Sequence, residues 1–93
     1  MYRIHATKSY RKALKRLRKN KNFVEQRLDE VIDILAVGEV LPRGYLDHPL
    51  NGEYGNLREC HIQNDILLLY QVEKGVLVLS LVNLGTHSKL FKK

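Results

Sequence analysis

The stretch from Leu57 to Val72, LRECHIQNDILLLYQV, constrains the fold more than any other part of this sequence. Gln63-Asn64-Asp65 is a turn-tolerant trio between two runs rich in leucine and isoleucine, so the pattern predicts two strands joined by a tight turn. Side chains alternate between the faces of a strand, which places Glu59 and His61 on one face and Cys60 on the core side. The turn brings Asp65 within reach of His61. An imidazole beside a carboxylate is a candidate acid–base site; a solvated strand end is the alternative.

Positive charge is concentrated at the N-terminus. The net charge is +6, and residues 1 to 24 hold nine lysines and arginines and no carboxylate. This asymmetry favours a polyanionic partner, either a nucleic acid or an acidic protein. A merely solubilising surface is the alternative interpretation.

Two amphipathic helices are predicted in the first half of the chain. Thr7 or Ser9 can cap the first helix, and an Asn22–Glu25 capping box can begin the second, which Gly38 would end. Apolar side chains recur on one face of each predicted helix, at Tyr10, Ala13, Leu14 and Leu17 and then at Val24, Leu28, Val31, Ile32 and Leu35. The short connection between them predicts an αα-hairpin with one buried face.

Strands flank this hairpin. Tyr2 to Ala6 resembles a short strand, and Glu73-Lys74-Gly75 is predicted to turn the chain into a last strand, 76–84, with Gly75 at positive φ. The order predicts an α+β fold in which an N-terminal strand and a two-helix hairpin pack on one face of a small antiparallel sheet. Counting from the turn pairs Val82 or Asn83 with Asp65 or Ile66, which brings His87 toward His61.

Length and composition set the class of protein. Ninety-three residues, 44% of them hydrophobic, form a single domain, 1–93. No apolar run reaches the roughly 20 residues of a membrane span, and the first residues have no secretory pattern. The single cysteine suits a reducing cytoplasm. The four histidines have no metal-ligand spacing, so neither a metal nor another cofactor is expected.

Four sequence blocks resemble the YafQ branch of the RelE/ParE toxin superfamily. They follow one another in the family's order and near its spacing, and with the basic helical hairpin the resemblance covers nearly the whole chain. The blocks are DHPLNG at 47–52, LRECHI at 57–62, DILLLY at 65–70 and GTHSKLF at 85–91.

The resemblance implies a RelE-like fold and a toxin of a type II toxin–antitoxin pair, which cuts messenger RNA in the ribosomal A site. The implied partners are a cognate antitoxin, the ribosome and its mRNA, with no membrane. Asn83 stands where many relatives carry an arginine that stabilises the scissile phosphate, which leaves Arg58 or a helix lysine to supply that charge. Glu59 stands where aspartate is frequent.

By this resemblance, the catalytic residues are His48, His61, Asp65 and His87. The RNA-binding residues are Phe91, which would stack on a base, together with Arg58, Glu59, Lys12, Lys15, Arg16 and Lys19. Histidine titrates near neutral pH and can act as acid or base. His87 is the expected acid–base residue, with His61 and Asp65 orienting it or sharing proton transfer.

Two other functions fit the same sequence. One is a ParE-like inhibitor that binds a topoisomerase and cuts nothing, and the other is a non-catalytic RNA-binding module. Three convergent histidines favour the nuclease, because binding alone does not require titrating groups.

Overall fold

The computed structural model describes residues 1–91, so that Lys92 and Lys93 of the predicted domain 1–93 lie outside the described residues. Within these residues the chain forms five strands and three helices. They are β1 (Arg3–Ala6), α1 (Lys8–Leu17), α2 (Glu25–Ala36), β2 (His48–Pro49), β3 (Arg58–Gln63), β4 (Ile66–Glu73), β5 (Val78–Thr86) and α3 (His87–Leu90). Two short 3-10 turns, Arg43–Tyr45 and Gly52–Tyr54, flank β2. None of the helices in this range is long and apolar enough to cross a membrane.

The five strands form one sheet in the order β1-β5-β4-β3-β2, which confirms the predicted α+β class. The pairs β2–β3, β3–β4 and β4–β5 are antiparallel. The edge strand β1 differs from the expectation of a wholly antiparallel sheet, because it runs parallel to β5. Parallel neighbours need a long crossover connection, and the two helices and three strands between β1 and β5 supply it.

Both long helices pack on one face of the sheet. The buried cluster joins Tyr10 and Ala13 of α1 and Leu28 and Val31 of α2 to strand side chains, which are Cys60, Ile62, Leu68, Tyr70, Leu79, Leu81 and Leu84. Cys60 is fully buried, as predicted, and burial raises the pKa of its thiol to about 12. Glu59 and His61 alternate with these core residues along β3, so they face the other side of the sheet.

The helix ends follow the sequence only in part. Thr7 caps α1 as predicted, because its Oγ1 accepts a hydrogen bond from the Tyr10 N–H at 3.1 Å. Gly38, at φ +82°, follows the end of α2 in the left-handed region that suits glycine. The Asn22–Glu25 capping box is wrong: α2 begins after Val24 without a side-chain cap. Glu25 instead pairs with Arg18 at 2.7 Å.

The last hairpin differs from its prediction. Strand β5 starts at Val78 rather than at residue 76, and the positive φ belongs to Leu77, at 54°, not to Gly75. The longer turn changes the register, so that Ile66 pairs with Thr86 rather than with Val82 or Asn83. An irregularity between Leu69 and Tyr70 adds to this shift. The new register places His87 immediately beyond the pairing with Ile66, close to the turn of the central hairpin.

Candidate active site

The candidate site lies on the face of the sheet opposite α1 and α2. Strand register aligns His48 with Glu59, Glu59 with Leu69, and Leu69 with Asn83, in one row across β2, β3, β4 and β5. His61 begins the next row, two residues farther along β3. The sheet itself therefore fixes the spacing between the polar side chains on this face.

A buried carboxylate lies at the centre of the histidines. The Glu59 side chain is only 5% exposed. Its Oε2 lies 3.3 Å from His48 Nε2 and 3.8 Å from His61 Nε2, and its Oε1 lies 3.6 Å from His87 Nε2. Withdrawing a carboxylate from water is unfavourable unless nearby groups compensate it. Here, the three groups within 4 Å of the carboxylate are all histidine rings.

A hydrogen bond to the backbone determines which ring nitrogen of His48 carries a proton. His48 Nδ1 lies 2.8 Å from the carbonyl oxygen of Leu46. A carbonyl oxygen only accepts, so Nδ1 carries a proton. In a neutral ring, Nε2 is then an acceptor that faces the Glu59 carboxylate, another acceptor. At 3.3 Å, a positively charged His48 ring would form an ion pair with this carboxylate.

The second carboxylate oxygen of Glu59 has a free acceptor position. Oε1 is buried and has no hydrogen-bond partner within residues 1–91. An unsatisfied buried polar atom costs about 1–3 kcal/mol. A buried polar atom without a partner calls for an explanation, and a catalytic role is one such explanation. A substrate hydroxyl that enters beside His87 would fill this position.

His87 and Phe91 belong to an aromatic cluster that covers the edge of the site. His87 is the first residue of α3, and its side chain is 70% exposed. The rings of His87 and Phe91 meet edge to face at 4.9 Å, and Phe91 meets Tyr54 in the same way at 5.3 Å. Tyr54 was missed in the sequence, where its position between Gly52 and Gly55 was the only signal.

Asp65 lies at the site, but it does not make the expected contact with a histidine. A cavity of about 210 Å³ is lined by Glu59, His61, Asn64, Asp65, Leu67 and His87. Within the described chain, Asp65 makes no side-chain hydrogen bond or ion pair, whereas Glu59 contacts all three histidines. The turn holds Asp65 at the exposed rim of the cavity. Glu59, expected only to bind RNA, takes the orienting position.

Arg58 does not supply the charge that the missing arginine would provide. Strand alternation directs it to the helix-covered face, where its Nε and Nη2 donate to the Asp47 carboxylate at 3.2 and 3.3 Å. These bonds with Asp47 raise the pKa of Arg58. Asn83 lies in the Glu59 row, and its Oδ1 accepts a hydrogen bond from the Leu84 N–H at 2.8 Å. Among residues 1–91, no arginine or lysine lines the histidine cavity.

The predicted RNA-binding cations form a separate surface. Lys12, Lys15, Arg16 and Lys19 are all exposed, in α1 or just after it. The buried side of α1, with Tyr10 and Ala13, covers the face of the sheet that faces away from Glu59. The cationic surface and the histidine cavity are therefore on opposite sides of the molecule.

The described residues contain no cluster arranged to hold a metal ion. Within residues 1–91, no group of three or more histidine, cysteine, aspartate or glutamate side chains has the required arrangement. The three histidine Nε2 atoms lie around the Glu59 oxygens instead.

The fold is that of a RelE-like toxin of a type II toxin–antitoxin system. Residues 2–92 match the family described as "Bacterial toxin of type II toxin-antitoxin system, YafQ". The chain belongs to this YafQ family, which confirms the resemblance seen in the sequence.

Individual relatives agree with this assignment. The "mRNA interferase toxin YafQ" of Escherichia coli K12 is 37% identical over 51 residues, 55% of this chain and 53% of that protein, so the match spans about half of its length. A metal-bound toxin from Helicobacter pylori has 44% identity and a TM-score of 0.90, covering 98% of this chain and 100% of that one. YafQ in the E. coli DinJ–YafQ complex has 26% identity and a TM-score of 0.87, covering 98% and 99%.

Proposed function

We propose that this chain is the toxin of a type II toxin–antitoxin pair and acts as a ribosome-dependent endoribonuclease, which cuts messenger RNA in the A site. The observation that carries the proposal is the buried Glu59 carboxylate, surrounded by His48, His61 and His87 beside an open cavity. A surface that only binds has no need for a buried carboxylate among three titratable rings. The name of the E. coli relative, an mRNA interferase toxin, supports the same activity.

RNA supplies its own nucleophile for this reaction. A base removes the proton of the 2′-hydroxyl, and the oxygen attacks the adjacent phosphorus to form a cyclic phosphate. The bond from phosphorus to the 5′-oxygen breaks, and an acid gives that oxygen a proton. The step is balanced by one proton taken and one proton given, so that one group that accepts a proton and one that donates a proton are sufficient.

The geometry supports specific roles. His87 is the most exposed of the three histidines and is assigned as the acid that protonates the leaving oxygen. The free Oε1 of Glu59 is available to the 2′-hydroxyl, while His61 and His48 stabilise charge on the phosphate. Asp65, on the cavity rim, shares in proton transfer or contacts the ribose. Phe91, held between His87 and Tyr54, stacks on a base.

The two-sided charge distribution supports dependence on the ribosome. The histidine cavity would take the mRNA, while the cations of α1 on the opposite side would contact ribosomal RNA through its phosphates. A short single strand cannot occupy both sides of the protein at once. A protein surrounded by folded RNA can use both surfaces.

Purified protein mixed with programmed, translating ribosomes tests this function. The expected result is new mRNA ends in the A-site codon, absent when ribosomes are omitted. Ribosome binding without new ends would favour the non-catalytic RNA-binding module. Inhibition of a purified topoisomerase, with intact mRNA, would favour the ParE-like alternative.

We also propose that the cleavage needs no metal held by the toxin. Its residues supply both an acid and an acceptor, so that no metal-activated water is needed. The toxin is treated with a chelator and desalted before it is added to ribosomes in their normal magnesium buffer. Unchanged cleavage is expected. Activity that is lost on this treatment and restored by copper or zinc would overturn metal independence.

The proposed antitoxin is an acidic segment that folds onto the cationic surface. The E. coli YafQ is seen in complex with DinJ, and the charge of α1 here favours an acidic ligand. This pair would function in the cytoplasm, where ribosomes translate. Acetylation of lysines, followed by mass spectrometry, should show Lys12, Lys15 and Lys19 protected in the complex and Lys74 unprotected. A tight complex that leaves all the α1 lysines reactive would count against this partner.

A further inference from the structure

Two adjacent residues of the DHPL block have side-chain contacts on opposite faces of the sheet. His48 faces Glu59 on the open side, whereas Asp47 pairs with Arg58 on the helix-covered side. The partners Arg58 and Glu59 are also adjacent, on β3. The same strand pairing, His48 with Glu59 and Pro49 with Arg58, therefore supports both contacts.

On the Asp47 side, three side chains form one hydrogen-bonded cluster. Arg58 donates two hydrogen bonds to the Asp47 carboxylate, from Nε at 3.2 Å and from Nη2 at 3.3 Å. The hydroxyl of Tyr70 donates to the same carboxylate. Arg58 Nε also lies 3.3 Å from the Tyr70 oxygen. Tyr70 is 1% exposed and belongs to the core. Bidentate pairing with a carboxylate fixes orientation as well as distance, so this cluster anchors the backbone at Asp47.

The backbone before Asp47 needs such an anchor. Leu46 has φ 51° and ψ 42°, a left-handed conformation that is unfavourable for a leucine, and the residue is 56% exposed. Its carbonyl oxygen accepts the hydrogen bond from His48 Nδ1. An unfavoured conformation persists only where surrounding contacts determine it, and Asp47 provides those contacts one residue away.

We propose that Asp47, Arg58 and Tyr70 are positioning residues for His48. They hold the Leu46 carbonyl oxygen at hydrogen-bond distance from Nδ1 and thereby keep that nitrogen protonated and Nε2 beside the Glu59 carboxylate. Arg58 thus serves the site from the opposite face, through the backbone rather than through the phosphate. The effect of this positioning on cleavage rests on the proposed nuclease function, whereas the positioning of His48 itself does not.

The first test observes the ring directly and needs no activity. Nitrogen-detected NMR of the histidine side chains reports which ring nitrogen carries the proton. Asp47→Asn and Tyr70→Phe, which keep size and shape, should shift the His48 nitrogen signals and its titration midpoint, while His5 signals stay unchanged. Unchanged His48 signals in both folded variants would overturn the proposal.

The second test is a double-mutant cycle on cleavage. Asp47→Asn should lower single-turnover cleavage by about 10²-fold, the loss expected when a reacting group moves by about 1 Å. In a His48→Ala background the same change should have almost no further effect, because the ring it positions is gone. Equal losses in the two backgrounds would show a general structural role and reject positioning.

A matched control separates positioning from stability. Val31 is fully buried in α2, on the helix-covered face, and Val31→Ala should lower Tm while leaving cleavage intact below that temperature. If the wild-type protein fails to cleave at all, the nuclease function is wrong, and the NMR experiment alone decides whether the cluster positions His48.

Discussion

Oε1 of Glu59 lies 3.6 Å from Nε2 of His87, and the two side chains differ widely in exposure, at 5% and 70%. The pair therefore combines a buried acceptor with an exposed ring that a ligand can reach. Strand β5 produces the contact, because it pairs with β4 as far as Thr86 and delivers His87 at the end of the sheet. A group that must meet a substrate and also hold a defined orientation needs both properties.

Replacing His87 tests the acid role. His87→Ala should leave the fold and ribosome binding nearly unchanged, because the side chain is exposed and lies on the side opposite to the α1 cations. Single-turnover cleavage should fall by roughly 10²–10⁴-fold, the usual contribution of a general acid or base. His5→Ala, on β1, is the control and should change little. Near wild-type cleavage by His87→Ala would move the acid role to His61 or His48.

Replacing Glu59 separates stability from activity. Glu59→Gln keeps the shape but removes a buried charge with an unpaired oxygen, so Tm measured at pH 8 should rise. About 1 kcal/mol of relief corresponds to roughly 4–8 °C for a domain of this size. Cleavage should fall by about 10²-fold or more, because the acceptor beside His87 is lost. A lower Tm together with full cleavage would contradict both expectations.

Asn83 offers a gain-of-function test. It lies in the same row as Glu59, and an arginine there would place a guanidinium near the phosphate. Asn83→Arg should raise single-turnover cleavage by up to about 10²–10³-fold, the effect of one donor directed at developing charge. Asn83→Gln, which adds length without charge, is the control. Equal rates for the two variants would mean that protonated histidines already supply the charge.

Local patterns predicted the elements of this fold, whereas long-range register was less accessible. Thr7, Gly38 and the Gln63–Asp65 turn are determined by neighbouring residues, so capping and turn preferences identified them. The β4–β5 pairing depends on a four-residue connection, Lys74 to Leu77, whose geometry the sequence does not specify. A change of turn length moves every pairing that follows.

In the candidate site too, the features set by local sequence were predicted and those set by strand pairing were not. The faces of Glu59 and Cys60 follow from strand alternation and were predicted correctly. The choice of Glu59 over Asp65 as the carboxylate among the histidines depends on the β2–β3 pairing, since His48 reaches Glu59 only through it. Arg58 was expected at the phosphate, although the same alternation directs its side chain to the other face; its partner there, Asp47, is brought beside it by the β2–β3 pairing.

Alkaline pH should destabilise the protein in a defined window. Burial raises the pKa of Cys60 from 9.0 to about 12 and that of Tyr10 from 10.0 to about 12. From about pH 9 to 12 the unfolded chain has lost protons that the native state keeps, so stability falls as pH rises. The free energy of unfolding, measured with urea at several pH values, should fall with pH less steeply in Cys60→Ala than in the wild type. Above pH 9 the difference should be about 1.4 kcal/mol per pH unit. Identical slopes would mean that Cys60 ionises as readily in the folded state.

The cationic surface should control binding without affecting chemistry. Changing Lys12, Lys15, Arg16 and Lys19 together to Gln should weaken ribosome binding and flatten its salt dependence. The slope of log affinity against log salt should fall by roughly 0.7–0.9 for each phosphate that the variant no longer neutralises. Cleavage at saturating protein should stay near wild type, because these cations and Glu59 are on opposite sides of the sheet. Arg3→Gln with Lys74→Gln, both outside α1, serves as the control and should leave the slope almost unchanged. Unaltered binding by the α1 variant would remove the polyanion role of this helix, and a marked fall in cleavage at saturation would show that the two surfaces are not independent.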